Sequence, residues 1–230
     1  MVEYRWASGQ ADQLAAAKAA ELVRLDLDLI VAANTTYVPS LRQAGSTGPT
    51  VFCTSGDPVA EGIVASLARP GGNMTGIAAF GPEICVKQLD ILTQAVPSAR
   101  RIAILWEPEY EQHKIAMPSI AAAGQKLAVT LQLVPASTAD EFDAAFTAID
   151  REHAEAVVVL TSSLTWSHRA RLADLAREYR LPSVTGFGAG GLLDYGPNIP
   201  AIYRQCAGYV DKILKGAKPS DLPVQRPTKF

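Results

Sequence analysis

Strand-sized apolar runs alternate with longer stretches of helical period along the whole of this chain. Each run plus its helical stretch takes roughly 20 to 30 residues, the length of a βα unit, and successive βα units lay their strands parallel. The runs are nearly continuous Val, Ile, Leu and Ala, with no alternation of apolar and polar residues. That composition suits parallel strands covered by helices on both faces. The pattern predicts strands at 2–6, 27–33, 50–54 and 75–80, and helices at 12–24, 38–44, 60–68 and 83–96. On the last of these, Ile84, Gln88, Ile91 and Ala95 are expected to share one side. After Pro97 the rhythm restarts. Strands are predicted at 101–106, 130–134, 156–160 and 182–185, with helices at 114–127, 138–149, 166–179 and 201–214. Thr138 and Glu141 have the spacing of a capping box.

Two such series predict an α/β fold of two Rossmann-like parallel-sheet lobes. Residues 1–80 and 194–225 would form the first lobe. Residues 81–193, crossing segments included, would form the second, and 226–230 would begin a third crossing. The helix at 83–96 would lead from one lobe to the other, and the glycine-rich stretch 186–191 reads as a flexible crossing.

Composition removes several function classes. The 230 residues carry 21 basic and 23 acidic side chains, a formal charge of −2. No excess of Lys and Arg is present to hold nucleic acid or an anionic membrane. Hydrophobic residues make up 48% of the chain, which excludes a disordered one. No run is long enough for a membrane-spanning helix. The N-terminus lacks a basic region followed by an apolar core, so no secretory signal is expected. Cys53, Cys85 and Cys206 are widely spaced and odd in number, implying neither a zinc pair nor a disulfide framework. The dinucleotide fingerprint, the P-loop and the nucleophile elbow are all missing, so no cofactor, metal or catalytic residue is predicted. His113, His153 and His168 fall in or beside predicted helices and read as solvated surface residues.

Ligands of parallel α/β sheets bind beyond the carboxyl ends of the strands. Sorting residues by that rule yields a short set of candidates. Asn34, Thr35 and Thr36 follow one strand and serve either as a helix cap or as donors to a carboxylate. Asp57, after Ser55 and Gly56, either caps a helix or faces a ligand amine, the cap being the simpler reading. Glu107 and Glu109 follow the strand at 101–106. Thr161, Ser162, Ser163 and Thr165 follow the strand at 156–160, next to Trp166, which equally suits a core position. Phe187 and Tyr195 flank the glycine stretch, where they could sandwich a planar ligand. The expected binding set is Thr35, Thr36 and Asp57 from the first lobe and Glu107, Ser162 and Ser163 from the second. Phe80, Phe187 and Tyr195 would lie at the crossings.

Several strings together carry a resemblance. They are Gly56-Asp57-Pro58-Val59, Ala65 through Gly76 (ASLARPGGNMTG), Lys87 through Leu92 (KQLDIL) and Arg101 through Trp106 (RIAILW). Further along come Gly190 through Pro197 (GGLLDYGP), Tyr209 through Gly216 (YVDKILKG) and Asp221 through Phe230 (DLPVQRPTKF). In combination they resemble the substrate-binding proteins of ABC transporters related to tryptophan- and tyrosine-binding lipoproteins. The resemblance implies a type I periplasmic-binding fold with a ligand cleft between its lobes and hinge closure on a small aromatic or carboxylated ligand. It also implies delivery to an ABC permease in the membrane, a periplasmic location and no catalysis. Against the family pattern the chain starts at the second strand of the first lobe, ends early, and has Glu107 before Pro108 where Asn is frequent. From this we expect a chain truncated at both ends, cytoplasmic if its start is genuine, and open to homodimer formation through the incomplete lobe. Two alternatives are an effector-binding domain of a transcriptional regulator and a non-functional truncated copy. A doubly wound enzyme fits least.

Overall fold

The computed structural model describes residues 2–6, 13–25, 27–54, 56–79, 81–186, 188 and 191–229. In chain order the elements are α1 (Gln13–Val23), β1 (Ile30–Ala32), α2 (Val38–Gln43), β2 (Thr50–Phe52), β3 (Met74–Gly76), α3 (Pro82–Ala95) and β4 (Arg101–Trp106). They continue with α4 (Glu111–Lys126), β5 (Thr130–Pro135), α5 (Phe142–Arg151), β6 (Ala156–Val159), α6 (Ser163–Ser167), α7 (Arg169–Glu178), β7 (Ser183–Thr185), β8 (Leu193–Asp194) and α8 (Ile199–Leu214). They form two compact units, Met1–Ala79 with Pro197–Phe230, and Phe80–Gly196. The chain returns to the first unit at Pro197, slightly later than 194, because Leu193–Asp194 pairs in parallel with β7 of the second sheet.

The first unit holds a parallel sheet in the order β1-β2-β3. Its core gathers Ala19 of α1, Val38 and Leu41 of α2, Phe52, Met74 and Val64, with Val224 from the returning chain. Gly76 is required at the end of β3, because a Cβ there would collide with the Phe52 carbonyl. The returning chain adds a parallel bridge, Ile77 to Gln225. Residues 2–6 form no strand. The helix expected at 60–68 is a run of turns. Asp57 Oδ1 takes the N–H groups of Val59 and Ala60, the N–H groups of Ile63 and Val64 both reach the Pro58 carbonyl, and Gly62 is left-handed at φ +66°. Asp57 thus caps a single helical turn, which the left-handed Gly62 ends.

The second unit is a five-stranded parallel sheet in the order β5-β4-β6-β7-β8. Its strands alternate between two helix layers. Ala103, Leu105, Val157 and Val159 face Phe142, Phe146 and Ile149 of α5 and Leu172 and Leu175 of α7. Ile102, Ile104, Ala156 and Val158 face Leu89 and Leu92 of α3 and Ala116 and Ile120 of α4. Both faces are covered, which is why these strands carry no polar alternation.

Three local expectations change. The buried side of α3 is Ile84, Gln88, Leu89 and Leu92, not the line through Ile91 and Ala95. The predicted helix 166–179 breaks at His168 into α6 and α7. Thr138 makes no side-chain cap bond; Glu141 instead accepts the Ser137 N–H at 2.8 Å, and Ala139–Glu141 is a 3-10 turn.

Candidate ligand-binding site

In the first unit the candidates lie beyond the carboxyl ends of β1 and β2. Asn34 caps the 3-10 turn Thr35–Tyr37, its Oδ1 accepting the Thr36 N–H at 2.9 Å. Thr35 is buried, and its N–H donates to the Thr54 carbonyl at 3.1 Å. Asp57 holds the turn that follows, as described above, so its capping role is realised on a turn and not on a helix. That turn brings in Glu61, which the sequence reading placed inside a helix. Glu61 is hydrogen-bonded by the Thr35 side chain and by backbone groups of Gly56 and Asp57. Burial holds its carboxyl above the ordinary range, these hydrogen bonds oppose the rise, and the charge of Asp57 adds to it. Two polar atoms here are buried without a partner, Thr36 Oγ1 and Glu61 Oε1. Buried polar groups are almost always paired, so each calls for an explanation.

In the second unit the strand register lines up another group. Leu105 pairs with Val159, which brings Glu107 level with the loop starting at Thr161. Glu107 is hydrogen-bonded to the Ser162 side chain, and burial raises its carboxyl pKa against that bond. Ser162 is buried and caps α6 in a reciprocal box with Thr165, its Oγ accepting the Thr165 N–H at 3.2 Å and its own N–H donating to Thr165 Oγ1 at 2.8 Å. Ser163 begins α6 and is half-buried. Trp166 lies on the exposed side of that helix, with the Arg169 guanidinium 5.2 Å from its ring centre. Trp106 Nε1, at the end of β4, is a further buried atom without a partner.

His113 overturns the expectation of a solvated histidine. It is 3% exposed, and its Nδ1 accepts the Glu107 N–H at 3.0 Å while its Nε2 lies 3.1 Å from the Thr161 carbonyl. An acceptor on one nitrogen and a carbonyl at the other define the neutral Nε2–H tautomer. Burial lowers its pKa to about 4. The ring thereby ties the loop after β4 to the loop after β6. A second tie runs through Gln88 of α3, whose amide donates to the Tyr195 carbonyl at 2.8 Å, while the Tyr195 N–H donates to Thr185 at 2.8 Å. Gly186 sits beside it, where a Cβ would come within 2.7 Å of Thr161 Oγ1.

The structure therefore brings Thr35 and Asp57 together around Glu61 in one unit, with Thr36 beside them in the chain. In the other it joins Glu107 to Ser162, with Ser163 next in sequence. Tyr195 takes part through its backbone and packs its ring against the second unit's core. Phe80 and Phe187 lie outside the described residues. Glu61, Gln88, Trp106 and His113 were missed. For Glu61 a signal existed, since it stands one helical turn after Asp57, a residue that the strand-end rule had already selected.

Two parallel-sheet α/β units, one interrupted by the other, with polar groups collected at the carboxyl ends of their strands, are the type I periplasmic-binding fold. The family model of ABC transporter substrate binding proteins matches residues 1–230, and the chain belongs to that family. A tyrosine-binding protein of Clostridioides difficile (strain R20291) is 23% identical over 202 residues, which are 86% of this chain and 57% of that protein. The chain thus spans little more than half the length of this relative. Among solved structures, a conserved domain protein from Vibrio cholerae has a TM-score of 0.84 at 23% identity, covering 94% of this chain and 73% of that one. A Streptococcus pneumonia ABC domain in complex with L-Trp has a TM-score of 0.83 at 21% identity, covering 94% and 74%. Among the described residues no helix is long and apolar enough to cross a membrane.

Proposed function

We propose that this protein is the solute-binding component of an ABC import system, and that it holds a small amino acid, aromatic ones foremost. It acts by binding and not by catalysis, delivering its ligand to a membrane permease on the outer side of the cytoplasmic membrane. The observation that carries this reading is the pair of unpartnered buried oxygens, Thr36 Oγ1 and Glu61 Oε1. An oxygen acceptor beside two acidic side chains suits an ammonium group. The second unit offers the reverse, an unpartnered donor at Trp106 Nε1, which suits a carboxylate or a phenolic oxygen. A zwitterion carries one group of each kind. The tyrosine-binding relative and the tryptophan-bound neighbour fit the same ligand class.

A ligand held by groups of both units favours a closed arrangement by its differential affinity, which is the hinge mechanism expected from the family. Thr35, Thr36, Asp57, Glu107, Ser162 and Ser163 remain the proposed lining, with Glu61 and Trp106 added. Titration calorimetry with L-tyrosine, L-tryptophan, L-leucine, benzoate and 4-hydroxybenzoate tests it. Heat of binding is expected with an amino acid and not with the acids that lack an ammonium group. Thr36→Val and Glu61→Gln should each weaken binding by about tenfold or more, the scale of one lost charge-assisted hydrogen bond. Absence of both heat and thermal shift across the panel would remove the proposal.

A further inference from the structure

We propose that Cys53 and Cys206 form a disulfide that joins the two separate stretches of chain from which the first unit is built. Cys53 directly follows β2 and Cys206 lies on α8; neither is more than 2% exposed. α8 packs on β2, and Cys206 Sγ comes within 3.9 Å of the carbonyl oxygen of Phe52, the residue preceding Cys53. The two thiols share a side-chain hydrogen bond. Sequence spacing could not reveal this pair, because 53 and 206 meet only once the chain has returned through Pro197.

The remaining cysteine sets the contrast. Cys85 belongs to α3 in the other unit, and burial pushes its thiol up to about 12, which keeps it protonated and unreactive. In the Cys53–Cys206 pair the shared hydrogen bond favours a thiolate on Cys53 and holds Cys206 protonated.

The oxidant is a small-molecule or protein disulfide. The thiolate of one cysteine of the pair attacks one of its sulfurs, forming a mixed disulfide and expelling one thiolate. The other cysteine gives up its proton and attacks the protein sulfur of that mixed disulfide, expelling the second thiolate. Two cysteine thiols and one oxidant disulfide become one protein disulfide and two free thiols. Neither sulfur is accessible in the packed unit, so exchange takes place before α8 has docked or when it lifts.

The bond would brace the proposed ligand-binding residues from below. Cys53 is followed by Thr54, whose carbonyl accepts the Thr35 N–H at 3.1 Å and whose hydroxyl donates to the Ala33 carbonyl at 3.0 Å. This inference is independent of what the protein binds.

The full chain, reduced and then equilibrated in a glutathione buffer of rising oxidised fraction with mild urea, tests it. The reaction is quenched with N-ethylmaleimide and mapped by peptide mass spectrometry. Free thiols are expected to fall from three to one, with a linked Cys53–Cys206 peptide and the remaining label on Cys85. The oxidised chain should melt roughly 5–10 °C higher than the reduced one, a shift lost in C53S/C206S and kept in C85S. Three labelled cysteines at every glutathione ratio, a linked peptide containing Cys85, or a lower melting temperature after Cys53–Cys206 linkage would each overturn the proposal.

Discussion

His113 stays neutral because its ring is enclosed, and its two hydrogen bonds need that neutrality: a proton on Nδ1 would confront the Glu107 N–H that now donates to it. Its folded pKa of about 4 lies below the usual value of 6.5. Between those limits the unfolded chain binds the proton and the folded one does not, so stability rises with pH. The contribution is complete above about pH 6.5 and is lost as pH falls toward 4, amounting to about 3 kcal/mol over the window. Thermal melts of the wild type should drop along that range. His113→Gln should melt lower at pH 7 but lose this part of the slope; an unchanged slope would place the titration elsewhere. The strand-end rule selected Thr35, Thr36, Asp57, Glu107 and Ser162 as candidates because it needs only the order of elements along the chain. It missed His113, Trp106 and Gln88 because their burial is decided by which loops fold over them, and their neighbours in sequence do not report that.

The strands owe their legibility to being covered on two sides. The run Ile102–Leu105 is apolar throughout because alternate residues serve different helix layers. A continuous apolar stretch therefore survives as a signal even where period-two alternation vanishes. The turns at 57–64 were illegible as such, since Asp57 caps them as it would a helix and the left-handed backbone at Gly62 stops the ladder after one turn. Two testable consequences belong to this scale. Phe146→Ala on α5 empties a fully buried site between that helix and the sheet, and denaturant unfolding should show a loss of about 3–5 kcal/mol. Gly196→Ala places a methyl 2.5 Å from the Gly186 carbonyl, with backbone on both sides and no flexible side chain to yield. It should cost about 1–3 kcal/mol, and an alanine tolerated there without change in melting temperature would mean that the backbone at 186 and at 196 moves apart freely.

Across the whole molecule, the second unit is the continuous one. It has its own five-stranded sheet and a core on each face, and its hydrogen-bonded ties are internal, as with Gln88 to Tyr195. A chain cut to residues 81–196 should fold alone, with a cooperative thermal transition by circular dichroism and sharp, dispersed amide resonances; a broad, non-cooperative melt would show that its core is incomplete. The two-series rhythm of the sequence announced both sheets. What it could not announce was the pairing of Gln225 with Gly76 and Ile77, because a bond between residues so far apart leaves no periodic trace.

The first unit is the interrupted one, and the ribosome meets this as a matter of timing. When residue 79 has been made, β1, β2 and β3 exist, but α8 and Val224 do not. The intervening residues 80–196 take on the order of ten seconds to translate. For that interval the side of β2 destined for α8 is uncovered, while the continuous unit can fold as it emerges. The part of the protein written first is thus completed last, and a nascent chain stalled near residue 196 should present this uncovered side of β2 to a chaperone.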